Sequence, residues 1–276
     1  MAAFHENKDV SLLLQNLTEV CSTTTSQGRK LELYKHAQLG KILVIDSEIQ
    51  HIEAFQSFYH EHVVHLPMCF IKQPISALIL GGGSLYAAFE LLKYRTILSI
   101  DMIDFDKTVI EVMCEYYDHA ALVVSQARLS INYLSLEEFI YCTNKKYDFI
   151  INDAIDFSVN MKHYSKVYSL LTSQGVCSDL IYRNIYEARE NLRTIKFMRE
   201  NSNLALSLLA IPEYPGFLHL LTISGKSQSI NQQLKHSVNI NHREWLASKN
   251  LPTQIFNPQN LPFYLYLPPY LKKYVD

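Results

Sequence analysis

From residue 77 to residue 153, short apolar segments alternate with segments of helical character, and this rhythm limits the fold more than any other feature. The apolar segments are ALIL, TILSIDMID, RLSINYL and YDFIIND, and those between them are AAFELLKY, KTVIEVMCEYY and SLEEFIYCT. Such alternation is typical of βαβ units, which form a parallel sheet with helices on both faces. Wholly apolar strands such as ALIL suit central positions that are buried on both sides. The sequence therefore predicts an α/β fold whose ligands bind beyond the carboxyl ends of the strands.

A run of three glycines, Gly81 to Gly83, follows the first of these strands and precedes the first helix. The chain has only eight glycines, so a cluster of three is unusual as loop filler. Glycine lacks Cβ and lets the backbone approach a ligand closely, and the amides at a helix start favour electron-rich oxygens. A tight structural turn would explain the same residues. The next residue is Ser84, so this turn carries no acid.

Acidic residues stand where two further strands end. Asp104 ends the second strand, where a carboxylate can accept hydrogen bonds from both hydroxyls of a ribose. The alternative is that Asp104 caps the next helix, although Asp106 is better placed for that role, with Thr108 in the first turn. Asp153 and Asp156 end the fourth strand and could bind a cationic amine or take a proton from it. Acids at strand ends also serve simply to turn the chain, but these share one sheet edge with the glycine turn.

The segment before this core has a different pattern. Residues 31–55 alternate apolar and polar side chains around Gly40 and the pair Asp46 and Ser47, which predicts antiparallel hairpins. Residues 57–70 have the pattern of a helix.

After the core, residues 204–224 predict two strands around a proline-rich turn. The last stretch, from Asn257 onward, is rich in proline and aromatic residues, and we expect it to wrap around the surface and pack there.

Composition excludes several classes of protein. The formal net charge of -2, without a block of like charge, argues against a nucleic-acid polymer as partner. No apolar run has the length of a membrane span, and residues 1–26 lack the layout of a secretion signal. We therefore expect a cytoplasmic protein without a membrane partner. The histidines His60, His62 and His65 fit no regular zinc spacing, so we expect no metal.

Several stretches resemble the spermidine synthase family of aminopropyltransferases, in order, along most of the chain. GKILVIDSEIQHIEAFQSFYHEHVVHLPM, with Gln50 and the run Tyr59 to Glu61, is similar to the family's N-terminal signature. ALILGGG is similar to its donor-binding turn, and DFDKTVIEV to its ribose-binding run. YDFIINDAID is similar to its catalytic Asp-x-x-Asp strand end, IPEYPG to its Pro-x-Tyr-Pro turn, and NPQNLPFYLYLPPY to its C-terminal tail.

The resemblance implies a Rossmann-like methyltransferase fold over residues 67–276, which binds the donor and carries out catalysis, and a small antiparallel β domain over residues 1–66. It implies transfer of a three-carbon amino chain from an adenosyl sulfonium to a nucleophile, with release of methylthioadenosine. The donor-binding residues that it implies are Gln50, His60, Gly81, Gly82, Gly83 and Asp104. The catalytic residues that it implies are Asp153 as base and amine ligand, with Asp156, Tyr59 and Tyr214 on the acceptor side.

Two departures from the family pattern concern the donor. Ser84 stands where the family has an Asp that grips the amine of decarboxylated S-adenosylmethionine, and Ser135 stands where it has an Asp for the adenine amino group. Full S-adenosylmethionine carries a carboxylate beside that amine. An acid at position 84 would repel it by about 4 kcal/mol at about 4 Å and an effective dielectric near 20. A serine hydroxyl can instead donate to it. We therefore expect S-adenosylmethionine rather than its decarboxylated form as donor, and 3-amino-3-carboxypropyl rather than aminopropyl as the group moved.

The acceptor stays open between two classes. A di- or polyamine is what the family implies. A divergent chain of this kind also resembles the tailoring enzyme of microcin C-type antibiotics, whose acceptor is a peptide-nucleotide precursor. Asp153 and Asp156 would repel a phosphate, and Lys72, Lys162 and Arg183 could offset that charge.

Two rival functions also remain. One is a methyltransferase with the same donor. The other is a catalytically degenerate regulatory subunit, favoured by the two missing acids and opposed by the intact Asp-x-x-Asp pair. A homodimer is compatible with each reading.

Overall fold

The computed structural model describes two β-sheets joined by a buried helix. The described residues are 2–5, 12–71, 73–154, 160–181, 188–216, 218–226, 230 and 251–269. The strands are β1 (Ala2–His5), β2 (Leu13–Thr24), β3 (Lys30–His36), β4 (Gly40–Ile45), β5 (Glu48–Ile52), β6 (Ser76–Leu80), β7 (Ser99–Ile103), β8 (Leu129–Asn132), β9 (Tyr147–Asn152), β10 (Leu171–Ile181), β11 (Asn203–Leu209) and β12 (His219–Gly225). The helices are α1 (Gln56–Met68), α2 (Tyr86–Leu92), α3 (Lys107–Tyr116), α4 (Asp118–Val124), α5 (Leu136–Cys142), α6 (Met161–Ser169), α7 (Ala188–Asn201) and α8 (Leu261–Tyr264). Single 3₁₀ turns lie at Glu53–Phe55 and Pro258–Asn260.

The N-terminal sheet consists of β1 to β5, antiparallel and in sequence order. Asp46 and Ser47 join β4 to β5 with φ angles of 48° and 62°. Positive φ at both central residues is what a type I′ turn requires, and its twist matches that of the strands. The Asp46 carboxylate accepts a hydrogen bond from the Lys30 N–H at 2.9 Å, which ties the turn to β3. The predicted hairpins are confirmed.

The larger sheet has seven strands in the order β11-β12-β10-β9-β6-β7-β8. Strands β8, β7, β6, β9 and β10 are parallel to one another, whereas β12 runs antiparallel to both β10 and β11. Helices follow the parallel strands, as the alternation in the sequence predicts. The Rossmann-like fold with a small antiparallel N-terminal sheet is therefore confirmed.

Alternate side chains of the central strand β6 pack on opposite faces of this sheet. Ala77 and Ile79 belong to a core that includes residues of α1, α2, α3 and α4. Leu78 and Leu80 pack on the other side, with residues of α5 and α6. All four side chains are fully buried. The continuous apolar run of this strand is thus the result of helices on both faces.

In the sequence, helix α1 follows the N-terminal sheet and precedes the larger sheet. Its three histidines contact different residues. His65 is fully buried, with Nε2 2.7 Å from Glu90 Oε2 and Nδ1 2.7 Å from a tyrosine hydroxyl. His62 packs edge-on against Tyr264, and His60 lines the cleft described below. Within the described ranges, no group of three or more His, Cys, Asp or Glu side chains could hold a metal ion.

The C-terminal tail is fastened to α1 by a buried acid. The Glu61 carboxylate accepts hydrogen bonds at 2.7 to 2.8 Å from the backbone N–H groups of Gln254, Ile255 and Phe256. Leu261 in α8 is also fully buried. The expectation that the tail packs against the surface is confirmed as far as residue 269.

The predicted division of the chain at residue 66 falls inside α1, which continues to Met68. The division into residues 1–66 and 67–276 stays a prediction. In the part of the chain that the structure describes, no helix has both the length and the apolar character needed to cross a bilayer.

Candidate active site

A cleft of about 290 Å³ opens at the carboxyl edge of the parallel strands, where the N-terminal sheet faces it. The small sheet and its flank contribute Arg29, Leu43, Ile45, Gln50 and His51. Helix α1 contributes Tyr59 and His60, and the remaining walls come from the ends of β6, β7, β9 and β10 and from the turn before β12. The cleft therefore lies where parallel α/β sheets place their ligands.

The glycine turn forms the floor of this cleft. Gly81 and Gly82 have φ angles of 84° and 94°, which side chains rarely tolerate. The Gly81 N–H donates to the Ile103 carbonyl at 2.8 Å, so the turn is held against the end of β7. A Cβ on Gly83 would lie 3.1 Å from Asp104 Oδ2. The turn brings bare backbone close to the acid at the end of β7.

The residue after the glycines lies among neutral polar groups. His60 Nδ1–H donates to the Gln56 carbonyl at 2.9 Å, so in neutral His60 the Nε2 atom is an acceptor, 3.2 Å from the Ser84 hydroxyl. Burial lowers the pKa of His60 to about 4. His119 Nε2–H donates to the Ser84 carbonyl at 3.0 Å, and its ring stacks on Tyr86 at 3.6 Å. The side chains that hydrogen-bond to Ser84 are therefore imidazoles, and neither is a carboxylate.

Asp104 lies at the end of β7, 9% exposed, and lines the cleft. Burial raises its pKa to about 6, the charge of Asp106 raises it further, and N–H groups of Asp106 and Gly83 lower it. Asp106 accepts from the Val109 N–H and is the cap of α3, which confirms the prediction that Asp106 is the better-placed cap. Asp104 is thus free of a capping role, and its role toward a ribose stays a prediction.

The end of β9 carries a buried acid with one strong hydrogen bond. The Tyr59 hydroxyl donates to Asp153 Oδ1 at 2.5 Å. Burial raises the pKa of Asp153 to about 7; the bond from Tyr59 opposes this rise, and the charge of Asp104 adds to it. Burial and the same carboxylate also raise the pKa of Tyr59 well above its ordinary value. Asp153 therefore titrates near neutral pH, where a carboxylate can accept and return a proton.

Of the other predicted residues that the structure describes, two line the cleft and one lies outside it. Gln50 and Tyr214 line the cleft. Ser135 does not appear among its lining residues: it is exposed, and its hydroxyl caps α5 by accepting from the Glu138 N–H at 3.1 Å. Asp156 lies outside the described residues.

Sequence reasoning missed three residues of this region, His51, His119 and Glu213. His51 and Glu213 are buried in the cleft wall. His119 comes from the short helix α4 and reaches Ser84 from behind the glycine turn. The acid between two prolines in IPEYPG is a signal that could have identified Glu213, whereas nothing in the local pattern marks the two histidines.

Comparisons with known proteins find relatives over most of the chain. A family model described as the spermine/spermidine synthase domain matches residues 56–236. The chain is 29% identical to the polyamine aminopropyltransferase of Alkaliphilus metalliredigens, over 91% of this chain and 89% of that protein. It is 34% identical to putrescine N-methyltransferase 2 of Nicotiana tabacum, over 83% of this chain but 57% of that protein.

A solved structure has the same fold. The crystal structure of a spermidine synthase in complex with the transition-state analogue AdoDATO superposes with a TM-score of 0.87 at 20% identity. The match covers 99% of this chain and 94% of the other.

Proposed function

The chain belongs to the spermine/spermidine synthase family and is an aminopropyltransferase of the spermidine synthase type, and on this premise we propose how its cleft is used. Homology supports aminopropyl transfer in polyamine synthesis. The reaction proposed is attack by an acceptor amine on the carbon next to the sulfonium of an S-adenosyl donor. The new N–C bond forms as the C–S bond breaks, and the sulfur leaves as neutral methylthioadenosine.

The observation that carries this proposal is the buried pair Tyr59 and Asp153. The amine must lose one proton during the transfer, and a carboxylate with a pKa of about 7 can take it. The hydroxyl of Tyr59 fixes the carboxylate, so that the second oxygen can face the amine. Because a sulfonium is already a good electrophile, alignment of the amine behind the carbon supplies much of the remaining rate.

For the donor we propose S-adenosylmethionine in its full form, so that the chain moved is 3-amino-3-carboxypropyl. Ser84 leaves the donor end without the acid that would repel a carboxylate. The neutral His60 keeps a lone pair on Nε2 that can accept from the donor's ammonium, which leaves the Ser84 hydroxyl to donate to the carboxylate. Gln50 and Asp104 would hold the adenosyl part, and Ser135, which is exposed and caps α5, is assigned no contact with the donor.

For the acceptor we propose a di- or polyamine. Among the described residues that line the cleft, the acids are Asp104, Asp106, Asp153 and Glu213, and the single Lys or Arg is Arg29. Arg29 is itself paired with Asp46 at 2.7 Å. Such a surface favours cations over the phosphate of a nucleotide acceptor. Tyr214 and Asp156 would complete the acceptor side.

Methyl transfer to a diamine is the second candidate function. The identity of 34% to a putrescine N-methyltransferase favours it, and so does a donor end that suits full S-adenosylmethionine. The two candidates use the same donor and differ in the carbon that the amine attacks.

The test is the identity of the adenosyl by-product. The purified protein is incubated with S-adenosylmethionine or its decarboxylated form and 1,4-diaminobutane, and the products are separated by chromatography. We expect methylthioadenosine. S-adenosylhomocysteine would replace the first candidate by the second, and absence of both products together with binding of neither donor would identify a degenerate subunit.

A further inference from the structure

One of the buried acids that line the cleft, Glu213, has no role in the reaction above. Glu213 lies in the turn between β11 and β12, lines the cleft and is 5% exposed. Its Oε2 atom is buried and has no hydrogen-bond partner among the described residues. Buried polar atoms in folded proteins nearly always have a partner, so one that lacks it suggests that a ligand supplies it.

The surroundings of Glu213 leave its charge uncompensated. The N–H groups of Ile52 and of Glu213 itself face the carboxylate and stabilise the charged form. Burial outweighs them and raises its pKa to about 7. Arg29, the single Lys or Arg among the described lining residues, is bonded to Asp46. A carboxylate whose role was only to shape this turn would have both oxygens bonded, since leaving one unpaired in a buried site destabilises the fold.

The position of Glu213 places it beside both halves of the site. It precedes Tyr214, on the proposed acceptor side, and it faces the backbone of Ile52, two residues after Gln50 on the proposed donor side. Both proposed substrates carry primary ammonium groups, and a buried carboxylate forms a strong charge-assisted hydrogen bond with such a group. Ser84, in the glycine turn, offers such an ammonium no carboxylate.

We propose that Glu213 is a specificity residue that binds a primary ammonium group of a substrate through its unpaired Oε2. This inference rests on the proposed function, because that function supplies the ammonium-bearing substrates. The ammonium belongs either to the amino-acid chain of the donor or to the acceptor, and binding measurements with each ligand separate the two sources.

The experiment compares calorimetric affinities of wild type and Glu213→Gln for three probes. Methylthioadenosine has no ammonium group, S-adenosylmethionine carries the donor's, and 1,4-diaminobutane, added to the complex with methylthioadenosine, represents the acceptor's. We expect Glu213→Gln to lower the affinity for one ammonium-bearing probe at least tenfold. The affinity for methylthioadenosine should stay within about twofold. The matched control is Glu111→Gln, which removes an exposed acid paired with Lys107 on α3, outside the cleft.

A loss for S-adenosylmethionine assigns Glu213 to the donor, and a loss for the diamine assigns it to the acceptor. Unchanged affinity for both would overturn the inference, as would an equal loss for all three probes, which is the signature of a structural role. If Glu213→Gln fails to fold, Glu213→Asp keeps the charge on a shorter side chain, and the same differential loss is expected. Failure of the proposed function is seen separately, as absence of methylthioadenosine from the wild-type reaction.

Discussion

Two neighbouring parts of the cleft carry different polar groups. At the glycine turn, the Ser84 hydroxyl lies 3.2 Å from Nε2 of neutral His60, and neither side chain is an acid. At the end of β9, Asp153 is buried against the Tyr59 hydroxyl and has a pKa of about 7. On the proposal above, the first part binds the amino-acid end of the donor, and the second takes a proton from the acceptor amine.

On this proposal, donor recognition and proton transfer depend on different elements: Ser84 follows β6, whereas Asp153 follows β9. We therefore expect a change at position 84 to alter the choice of donor while the bond between Tyr59 and Asp153 stays in place.

The largest expected effect comes from removing the base. Asp153→Asn keeps the shape of the side chain but abolishes its ability to take a proton. We expect turnover to fall about 10²- to 10⁴-fold if the residue acts as a base. Affinity for the donor should change far less, because the amide keeps the size and shape of the carboxylate. Steady-state rates and donor calorimetry on the same preparation measure both quantities.

Glu111→Gln is the control for loss of a carboxylate outside the cleft, and it should retain wild-type turnover. Full activity in the Asp153→Asn variant would remove this residue from the mechanism. An equal loss of donor affinity and turnover would show that Asp153 serves donor binding as much as proton transfer.

The raised pKa of Asp153 should also affect how the stability of the protein depends on pH. Asp153 has a folded pKa of about 7 against an ordinary value of 3.8, so the folded state binds its proton more tightly. Wild type therefore loses stability as pH rises from about 4 to about 7, relative to the Asp153→Asn variant, which has no such group. The difference in unfolding free energy should shift by up to about 4 kcal/mol in favour of the variant. Urea unfolding at pH 4.5 and pH 8 measures it, and a constant difference would contradict the raised pKa.

At the donor end, Asp104→Ala should weaken both the donor and methylthioadenosine, because the two share one ribose. The loss of hydrogen bonds to a charged group should cost roughly 1.5–3 kcal/mol in each case. Calorimetry with methylthioadenosine is the cleanest readout. Unchanged affinity would mean that Asp104 serves the backbone around Gly83 and Asp106 and does not hold the ribose.

The smallest effect is expected at Ser135. Its hydroxyl caps α5, so Ser135→Ala should lower the unfolding free energy by about 1 kcal/mol. Donor affinity should stay within about twofold, since the side chain is exposed outside the cleft wall. Thermal unfolding and donor titration separate these effects. A clear loss of donor affinity would instead place the adenine at the start of α5.

The fold was largely predictable because its central strands are buried on both faces. Their sequences are therefore continuous apolar runs. Strand β10 escaped prediction, since its sequence LTSQGVCSDLI mixes polar residues with Gly175. The structure gives the reason for that glycine: a Cβ there would lie 2.8 Å from the carbonyl oxygen of Tyr147 on the neighbouring strand. Helix α4 was missed because it follows α3 after the single residue Tyr117.

The candidate site was predictable where each residue ends a strand, as Asp104 and Asp153 do. His51, His119 and Glu213 come from a β-hairpin, a short helix and a turn that are far apart in sequence. Their meeting depends on the packing of the two sheets against α1 and α2. Local pattern carries no record of that packing, so the two histidines required the structure.

The most direct test of the proposed donor is to compare the donor preference of wild type with that of Ser84→Asp. Calorimetry with S-adenosylmethionine and with its decarboxylated form measures both preferences. The account predicts that wild type binds the full donor more tightly. An acid at position 84 should move the preference toward the decarboxylated donor by no more than about 4 kcal/mol. Tighter binding of the decarboxylated donor by wild type would contradict the account, because Ser84 and neutral His60 would then not favour a donor that carries a carboxylate.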